Sequence, residues 1–314
     1  MIETRGLRKS FTSRQGREKK TVEAVRGVDL DVAEGEIFGF LGPNGAGKTT
    51  TLRMLATLIE PDGGTATIAG ADLRRDPAEV RRRIGYVAQG GSTWDDSTAR
   101  EELVLQARLY GASKASAQAR AASVLEGFQL IEYADRKCKT YSGGQRRRVD
   151  IALGIIHEPK VVFLDEPTTG LDPQSRAHMW EEIRRLRAEG MTVFITTHYL
   201  DEADALCDRI SIMDNGEIVA SGTPSSLKRE ISGDVVRVGL PVDAVAAAAS
   251  ALAAYKIESY DDSVRLYVED GAVAIPQILR ALDAAGVPLG TIELHRPSLD
   301  DVFLTKTGRS LRES

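Results

Sequence analysis

Residues 42–49 have the types and spacing that bind phosphate. They read GPNGAGKT, fit the pattern G-x-x-x-x-G-K-[ST], and lie between an apolar run at 36–41 and a predicted helix over 49–58. Glycines in such a loop let backbone N–H groups approach phosphate oxygens, and the helix start adds partial positive charge. Lys48 can reach the β- and γ-phosphates, and the Thr49 hydroxyl can bind Mg²⁺. We therefore expect a nucleoside triphosphate site here and refer to residues 42–49 as the P-loop.

Two adjacent carboxylates, Asp165 and Glu166, follow a second apolar run at 161–164. Ligands of open α/β sheets collect at the carboxyl ends of the strands, so this pair is expected beside the P-loop. Asp165 can hold Mg²⁺ directly or through water, and Glu166 can polarise a water molecule for in-line attack on the γ-phosphate. Among proteins with a P-loop, this acidic pair favours those that hydrolyse the bound nucleotide.

A second glycine-bearing helix start lies in the segment 141–148, which reads YSGGQRRR. Ser142 and Gln145 have the spacing of a capping box. Gly143 and Gly144 lie in the first turn, where glycine lowers helix stability relative to alanine. Close approach of a phosphate to the helix start would explain both glycines, so we interpret the segment as a second phosphate cradle. Either the two cradles grip one nucleotide, or each grips a nucleotide shared with another copy of the chain.

Five elements occur in a fixed order over about residues 1–225: the P-loop, the segment 142–145, the run 161–166, the pair Leu171 and Asp172, and His198. In this order they resemble the nucleotide-binding subunit of an ABC transporter, although Tyr141 replaces the commoner leading leucine. We refer to residues 142–145 as the signature segment. The resemblance implies a head-to-tail homodimer in which each signature segment meets the ATP on the partner's P-loop. It also implies a competent ATPase that works with separate integral membrane permease subunits.

The resemblance assigns roles to single residues as well. Phe11 stands where an aromatic ring stacks on adenine, and Asp172 stands where a residue contacts the other subunit of the dimer. Gln89 stands where a glutamine touches Mg²⁺ or the attacking water and couples to the membrane subunit, although Ala88 replaces the usual proline. His198 resembles the switch histidine that contacts the γ-phosphate.

The predicted site residues fall into three groups by role. The catalytic residues are expected to be Lys48, Glu166 and His198, and the ligands of Mg²⁺ are expected to be Thr49, Gln89 and Asp165. The residues predicted to bind nucleotide are Phe11, Gly42, Asn44, Gly45, Ala46, Gly47, Lys48, Thr49, Thr50, Gln89, Ser142, Gly143, Gly144, Gln145 and Asp172.

Two further segments narrow the resemblance. The residues after His198, YLDEAD at 199–204, and the tail RPSLDDVFL at 296–304 resemble ATP-binding subunits of the daunorubicin-resistance exporters. That group drives export of drugs, lipids or polysaccharides through separate membrane subunits. The resemblance covers nearly the whole chain and implies a C-terminal accessory domain. Such a domain could equally be a module that stabilises the dimer and binds no ligand.

The pattern of elements predicts two domains. Short β-branched runs alternate with helical patterns up to about residue 225, which indicates an α/β P-loop NTPase domain over residues 1–228 with a helical insertion at about 95–157. The order β-α-β-β-α-β follows over residues 229–314 and predicts a small ferredoxin-like α+β domain. The arginine clusters at 81–83 and 146–148 are expected to be solvated helix faces.

Composition limits the remaining classes. The 314 residues carry 41 basic and 46 acidic side chains, a balance that does not favour a nucleic-acid partner. Cys138 and Cys207 match no metal-ligand spacing, and we interpret both as reduced thiols of a cytosolic protein. The N-terminal segment has no apolar stretch of the signal-peptide kind, and the alanine-rich run 244–255 is too short for a membrane span. Together with these features, the resemblance to a transporter subunit implies a peripheral protein on the cytoplasmic face of the membrane.

Three alternatives remain at the level of sequence. A soluble ABC-type ATPase acting on ribosomes or DNA would use the same nucleotide chemistry, although this chain has one P-loop and neither long coiled coils nor a zinc module. An importer ATPase also fits, because the nucleotide motifs do not encode the direction of transport. A regulatory subunit without hydrolysis is disfavoured by Glu166 and His198.

Overall fold

The computed structural model describes residues 1–15, 18–231 and 233–308, and these residues form two compact units. The first unit is Met1–Thr223 and the second begins at Pro224. The boundary drawn from sequence, between residues 228 and 229, falls inside the helix Pro224–Ile231. This helix belongs to the second unit, in which Glu230 Oε2 lies 3.5 Å from Lys306 Nζ of the last described helix.

The first unit contains a six-stranded sheet of mostly parallel strands. Its central strands are buried along their whole length, as expected of parallel strands covered on both faces. The strand order is β10-β9-β3-β8-β7-β6, and only β10 runs antiparallel to its neighbour. The strands are β3 (Ile37–Leu41), β6 (Ile84–Val87), β7 (Val161–Asp165), β8 (Thr192–Thr197), β9 (Arg209–Asp214) and β10 (Glu217–Gly222).

A four-stranded antiparallel sheet in the same unit was not assigned from the sequence. It consists of β1 (Ile2–Gln15), β2 (Glu18–Val32), β4 (Gly63–Ile68) and β5 (Ala71–Asp72), in the order β2-β1-β4-β5. Its buried apolar side chains, among them Leu7 and Leu30, share one core with Phe38, Phe163 and Phe194 of the six-stranded sheet. The long strands β1 and β2 carry irregular register, which blurs the two-residue periodicity that marks a strand in sequence.

Helices connect the strands, and three of them form the predicted insertion. The insertion contains α3 (Ala99–Leu109), α4 (Lys114–Gly127) and α5 (Gly143–Ile155), with short 3₁₀ turns at Ile131–Tyr133 and Cys138–Thr140. The helix expected over 49–58 ends earlier, because Thr57 adopts the left-handed conformation with φ +61°. The remaining helices are α1 (Lys48–Leu55), α2 (Pro77–Arg83), α6 (Pro173–Ala188) and α7 (Leu200–Leu206).

The second unit has the predicted order of elements. Four antiparallel strands are arranged β12-β13-β11-β14, which is the ferredoxin-like order, and helices pack on one face over a core that includes Val236, Leu266 and Ile278. The fold class expected from sequence is therefore confirmed. The elements are α8 (Pro224–Ile231), β11 (Asp234–Gly239), α9 (Val245–Ala251), β12 (Lys256–Tyr260), β13 (Ser263–Val268), α10 (Gly271–Ala284), β14 (Thr291–His295) and α11 (Leu299–Thr307).

Both cysteines are free and buried. Burial raises the pKa of the Cys138 thiol to about 11 and also raises the pKa of Cys207, so neither is poised as a nucleophile. Within the part of the chain that the structure describes, every helix is too short or too polar to cross a membrane.

Candidate nucleotide site

The P-loop joins the buried strand β3 to α1 through backbone that requires glycine. Gly47 precedes α1 with φ +110°, and a Cβ at this position would collide with the carbonyl oxygen of Ala24. The rest of the loop alternates exposed and buried positions: Asn44 and Gly45 are exposed, Ala46 is buried, and Thr50 is half-buried on α1. The loop is thus fixed at its base and open at its tip.

Lys48 is folded back onto the loop. Its Nζ donates hydrogen bonds to the Gly42 carbonyl at 2.6 Å and the Pro43 carbonyl at 3.0 Å. Burial lowers the pKa of the ammonium, and the charges of Glu166 and Asp165 oppose that effect. The lysine is therefore held beside both carboxylates.

Three oxygen-bearing side chains meet where β7 and β8 end. Asp165 Oδ1 accepts a hydrogen bond from Thr196 Oγ1 at 2.6 Å and from Thr49 Oγ1 at 3.2 Å. The described residues contain no group of three His, Cys, Asp or Glu side chains that could hold a metal alone. A hydroxyl beside a carboxylate instead fits Mg²⁺, which binds proteins through one or two carboxylates and takes its other ligands from phosphate and water.

Glu166 lies at the centre of the predicted catalytic residues. Its Oε2 accepts hydrogen bonds from Gln89 Nε2 at 2.8 Å and Thr169 Oγ1 at 3.1 Å, and its Oε1 lies 3.2 Å from His198 Nδ1. The carboxylate is 8% exposed. The structure thus brings Gln89, Glu166 and His198 into contact although they are far apart in sequence.

The signature segment begins α5 with the predicted capping box. Ser142 Oγ accepts the Gln145 N–H at 3.3 Å, and Gln145 Oε1 accepts the Ser142 N–H at 3.0 Å. Gly143 has room for a side chain, but a Cβ on Gly144 would lie 3.0 Å from Ser175 Oγ. Close packing against α6 therefore gives Gly144 a structural reason to be glycine, in addition to the access for phosphate argued from sequence.

Asp172 caps the helix that packs against the signature segment. Its carboxylate accepts hydrogen bonds from the N–H of Ser175 at 2.9 Å and from Ser175 Oγ at 2.6 Å. These bonds lower the pKa of the carboxyl. Asp172, Ser175 and Gly144 thus form one contact chain between the start of α6 and the start of α5.

Phe11 lies on β1 opposite Val22, and the ring is 46% exposed. Lys9 Nζ lies 5.8 Å from the ring centroid. An exposed ring beside a cation can accept a flat base by stacking.

Two buried residues beside the site were missed from sequence. The Glu166 N–H donates to Thr196 Oγ1 and to the Thr196 carbonyl oxygen, each at 3.1 Å. Arg147, the middle residue of the cluster at 146–148, was expected on a solvated face, but it is 7% exposed and donates three hydrogen bonds to backbone carbonyls. The interpretation as a solvated helix face is therefore wrong for Arg147. Three consecutive arginines look alike in the sequence, which does not show which side chain points inward.

A groove of about 740 Å³ opens beside the loop that carries Gln89. Exposed apolar side chains line it, including Trp94, Leu105 and Leu109, together with the stacked rings of Tyr110 and His157. Exposed apolar surface of this kind is typical of a protein–protein interface.

A parallel sheet with a P-loop, a strand-end acidic pair and a second glycine-bearing helix start on a helical insertion defines the ABC class of ATPases. The family model for ABC transporters matches residues 25–169. The model for the C-terminal domain of DrrA1-3-like ATP-binding proteins matches residues 222–307. The chain therefore belongs to the family of ABC transporter ATP-binding proteins that carry a DrrA-type C-terminal domain.

Relatives align over nearly the whole chain. The daunorubicin/doxorubicin resistance ATP-binding protein DrrA of Streptomyces peucetius is 43% identical over 98% of this chain and 92% of its own length. The linearmycin resistance ATP-binding protein LnrL of Bacillus subtilis is 35% identical over 100% of both chains. A solved dimer of the ATP-binding cassette MJ0796 with ADP and Pi is 28% identical, has a TM-score of 0.63, and covers 71% of this chain and 98% of that one. The chain is thus an ATPase whose hydrolysis of ATP is coupled to transport.

Proposed function

We propose that this chain powers the export of a drug, lipid or other hydrophobic compound through separate membrane subunits, with Glu166 as the catalytic base. The observation that carries the assignment of the base is the junction of Glu166 with Gln89 and His198 beside the buried Lys48. The two relatives named above are described as daunorubicin/doxorubicin and linearmycin resistance ATP-binding proteins, which supports export as the direction.

The side chains divide the work by chemistry. Lys48 supplies the positive charge that binds the β- and γ-phosphates once it exchanges its two carbonyl partners for phosphate oxygens. Glu166 accepts a proton from the attacking water, and Gln89 and His198 orient that water and the γ-phosphate. The ring of Phe11 stacks on the adenine of the nucleotide. Mg²⁺, held by Thr49, Asp165 and Gln89, would neutralise charge on the phosphates.

We further propose a head-to-tail homodimer. Each signature segment, Ser142 to Gln145, and each Asp172 would complete the site on the partner's P-loop. The exposed start of α5 supports this arrangement, because the backbone N–H groups and the partial positive charge of a helix start favour an anion. Differential affinity of the closed and open dimers for ATP would then drive the transport cycle.

Substitution of Glu166 tests its assignment as the catalytic base. Glu166→Gln keeps the size of the side chain but cannot accept the proton, so we expect ATP to be retained, hydrolysis to fall by at least about 100-fold, and the dimer to accumulate. Size-exclusion chromatography with bound nucleotide measures the dimer. Glu181→Gln, an exposed site on α6, is the matched control. Wild-type turnover by Glu166→Gln would refute the base assignment.

The groove beside the Gln89 loop is the proposed docking site of the permease, which would place the chain on the cytoplasmic face of the membrane. Trp94 is 69% exposed at its rim. We expect Trp94→Ser to lose co-purification with the permease while ATP binding persists. Val273 is an apolar residue of the second unit that is 60% exposed, and Val273→Ser should leave co-purification unchanged. Equal loss by both variants would argue against this groove.

A further inference from the structure

The three consecutive arginines at the start of α5 reach three different places. Arg146 binds Thr93 and Asp95, and Arg148 donates to the Phe128 carbonyl at 3.0 Å. Only Arg147 is buried, and its guanidinium points toward the segments that hold the catalytic residues. The three side chains therefore cannot share one role.

Arg147 binds the backbone on both sides of the catalytic base. Its Nη2 donates to the Asp165 carbonyl at 2.9 Å and its Nε donates to the Pro167 carbonyl at 2.9 Å. Its Nη1 donates to the Ala88 carbonyl at 2.6 Å, directly before Gln89. One planar side chain thus fixes two loops that approach it from different strands.

The backbone of Glu166 needs such support. Its φ of +46° lies in the left-handed region, which a residue with a Cβ adopts only under constraint from its surroundings. The Glu166 N–H is held by Thr196. The carbonyls of Asp165 and Pro167, on either side of Glu166 in the chain, are held by Arg147. The strained conformation is therefore fixed by contacts on both sides.

Charge and shape both favour arginine at this position. Burial lowers the pKa of the guanidinium, while the charges of Asp150, Asp165 and Glu202 oppose that effect, and arginine stays protonated in proteins. Three carbonyls in different directions match the fork of N–H groups of a guanidinium, whereas the ammonium of lysine is a compact point charge.

A second residue of α5 holds the other end of the Gln89 loop. Asp150 Oδ1 accepts hydrogen bonds from the N–H groups of Ser92 at 2.7 Å and Thr93 at 3.2 Å. Together, Arg147 and Asp150 bracket the loop between residues 88 and 93. The helix that begins at the signature segment thus anchors the loop whose glutamine touches Glu166.

We propose that Arg147 is a positioning residue for ATP hydrolysis, and that it links the signature helix of a chain to the base and the Gln89 loop of the same chain. The proposal rests on the proposed role of Glu166. When the start of α5 engages a phosphate, any movement of that helix reaches the backbone of Glu166 through the guanidinium. All three nitrogens of the Arg147 guanidinium donate to backbone carbonyls, so it acts on the rate through the geometry of Glu166 and Gln89.

Steady-state kinetics of Arg147→Gln and Arg147→Lys test this inference. We expect kcat to fall about 10- to 100-fold, as for a small misplacement of a catalytic group, while KM and the ATP dissociation constant stay within about twofold. Leu186→Ala, buried on α6, controls for general loss of stability. Unchanged kcat, or a parallel loss of ATP binding and turnover like that of Leu186→Ala, overturns the proposal. If Arg147→Gln fails to fold, Arg147→Lys gives the same comparison.

The double variant Arg147→Gln/Glu166→Gln separates positioning from dimer closure. If Arg147 acts only through the base, the double variant should bind ATP and form the dimer as well as Glu166→Gln does. Loss of that dimer would overturn the proposal, because Arg147 would then be needed for closure. Glu166→Gln alone with wild-type turnover would refute the base assignment and this inference together. Inactive Glu166→Gln with fully active Arg147→Gln would refute this inference alone.

Discussion

The ammonium of Lys48 is held by carbonyls of its own loop, and this contact bears on how the site binds phosphate. The two hydrogen bonds measure 2.6 and 3.0 Å, and the group is buried beside two carboxylates. We expect Lys48→Ala to weaken ATP binding by at least about tenfold, since a charge-assisted bond contributes about 1.5–3 kcal/mol. Titration with a fluorescent ATP analogue measures the loss.

The control for Lys48→Ala is a lysine whose ion pair lies in the second unit. Lys306 Nζ lies 3.5 Å from Glu230 Oε2. Lys306→Ala should retain ATP affinity to within about twofold, because surface ion pairs contribute little. Equal losses in both variants would mean that Lys48 acts through overall stability and not through phosphate.

At the residue scale, the sequence points to candidate residues for the chemistry, but it does not show how they are held. The types and spacing of Lys48, Asp165 and Glu166 follow from local motifs. Arg147 and Thr196 could not be assigned, because their role depends on carbonyls and N–H groups that tertiary packing brings near. One signal was present for Arg147: it lies four residues before the buried Ile151, on the apolar side of α5.

At the element scale, the junction of α5 and α6 distinguishes the two glycines of the signature segment. Alanine favours the helix at both positions, by up to about 1 kcal/mol. A methyl group on Gly144 would crowd Ser175, whereas one on Gly143 meets only Leu171 at 3.9 Å. We expect Gly144→Ala to be about 1 kcal/mol less stable than Gly143→Ala in urea unfolding without nucleotide. Equal stability of the two variants would contradict this packing argument.

His157 follows α5 and joins it to the start of β6. Its Nε2 lies 2.8 Å from the Ile84 carbonyl, and its ring stacks on Tyr110 at 3.8 Å between centroids. Burial lowers the pKa of the imidazole below its ordinary value of 6.5, as does Arg120, which pairs with Glu158; the bond to Ile84 opposes both. Below about pH 6.5 the unfolded chain therefore binds a proton that the folded chain does not. The stability of the fold therefore decreases as the pH is lowered through this range.

Removal of the titrating group should remove this part of the pH dependence. His157→Phe keeps the ring stacked on Tyr110 but cannot bind a proton. Between about pH 7.5 and pH 5.5 we expect the melting temperature of the wild type to fall more than that of His157→Phe. Differential scanning fluorimetry at matched ionic strength measures both slopes. Identical slopes would show that the burial of His157 does not affect stability in this range.

Helices and strands could be predicted from the sequence where the pattern that marks them is local. The capping box at Ser142 and Gln145 and the order of elements in the second unit were predicted correctly. The sheet of β1, β2, β4 and β5 was missed, because its pairings join residues far apart and its register shifts interrupt the alternation. The early end of α1 depends on the left-handed Thr57, which carries no glycine or proline signal.

At the scale of the whole molecule, each unit has its own hydrophobic core. Ile68 lies in the core of the first unit and Ile278 in that of the second, and both are fully buried. Truncation of either to alanine removes the same atoms, at a cost of about 2–5 kcal/mol in a well-packed site. The two variants are therefore matched in chemistry and differ only in the unit they affect.

We expect Ile278→Ala to speed hydrogen exchange in residues 234–295 while ATP affinity and exchange in the P-loop stay as in the wild type, because local opening follows cooperative units. Ile68→Ala should do the reverse and weaken ATP binding. Exchange measured by mass spectrometry with and without ATP resolves both units in one experiment. If Ile278→Ala loosened the P-loop as much as Ile68→Ala does, the C-terminal domain would be part of the folding unit of the ATPase. Retained ATP affinity would instead make it a module whose contribution lies in assembly or transport.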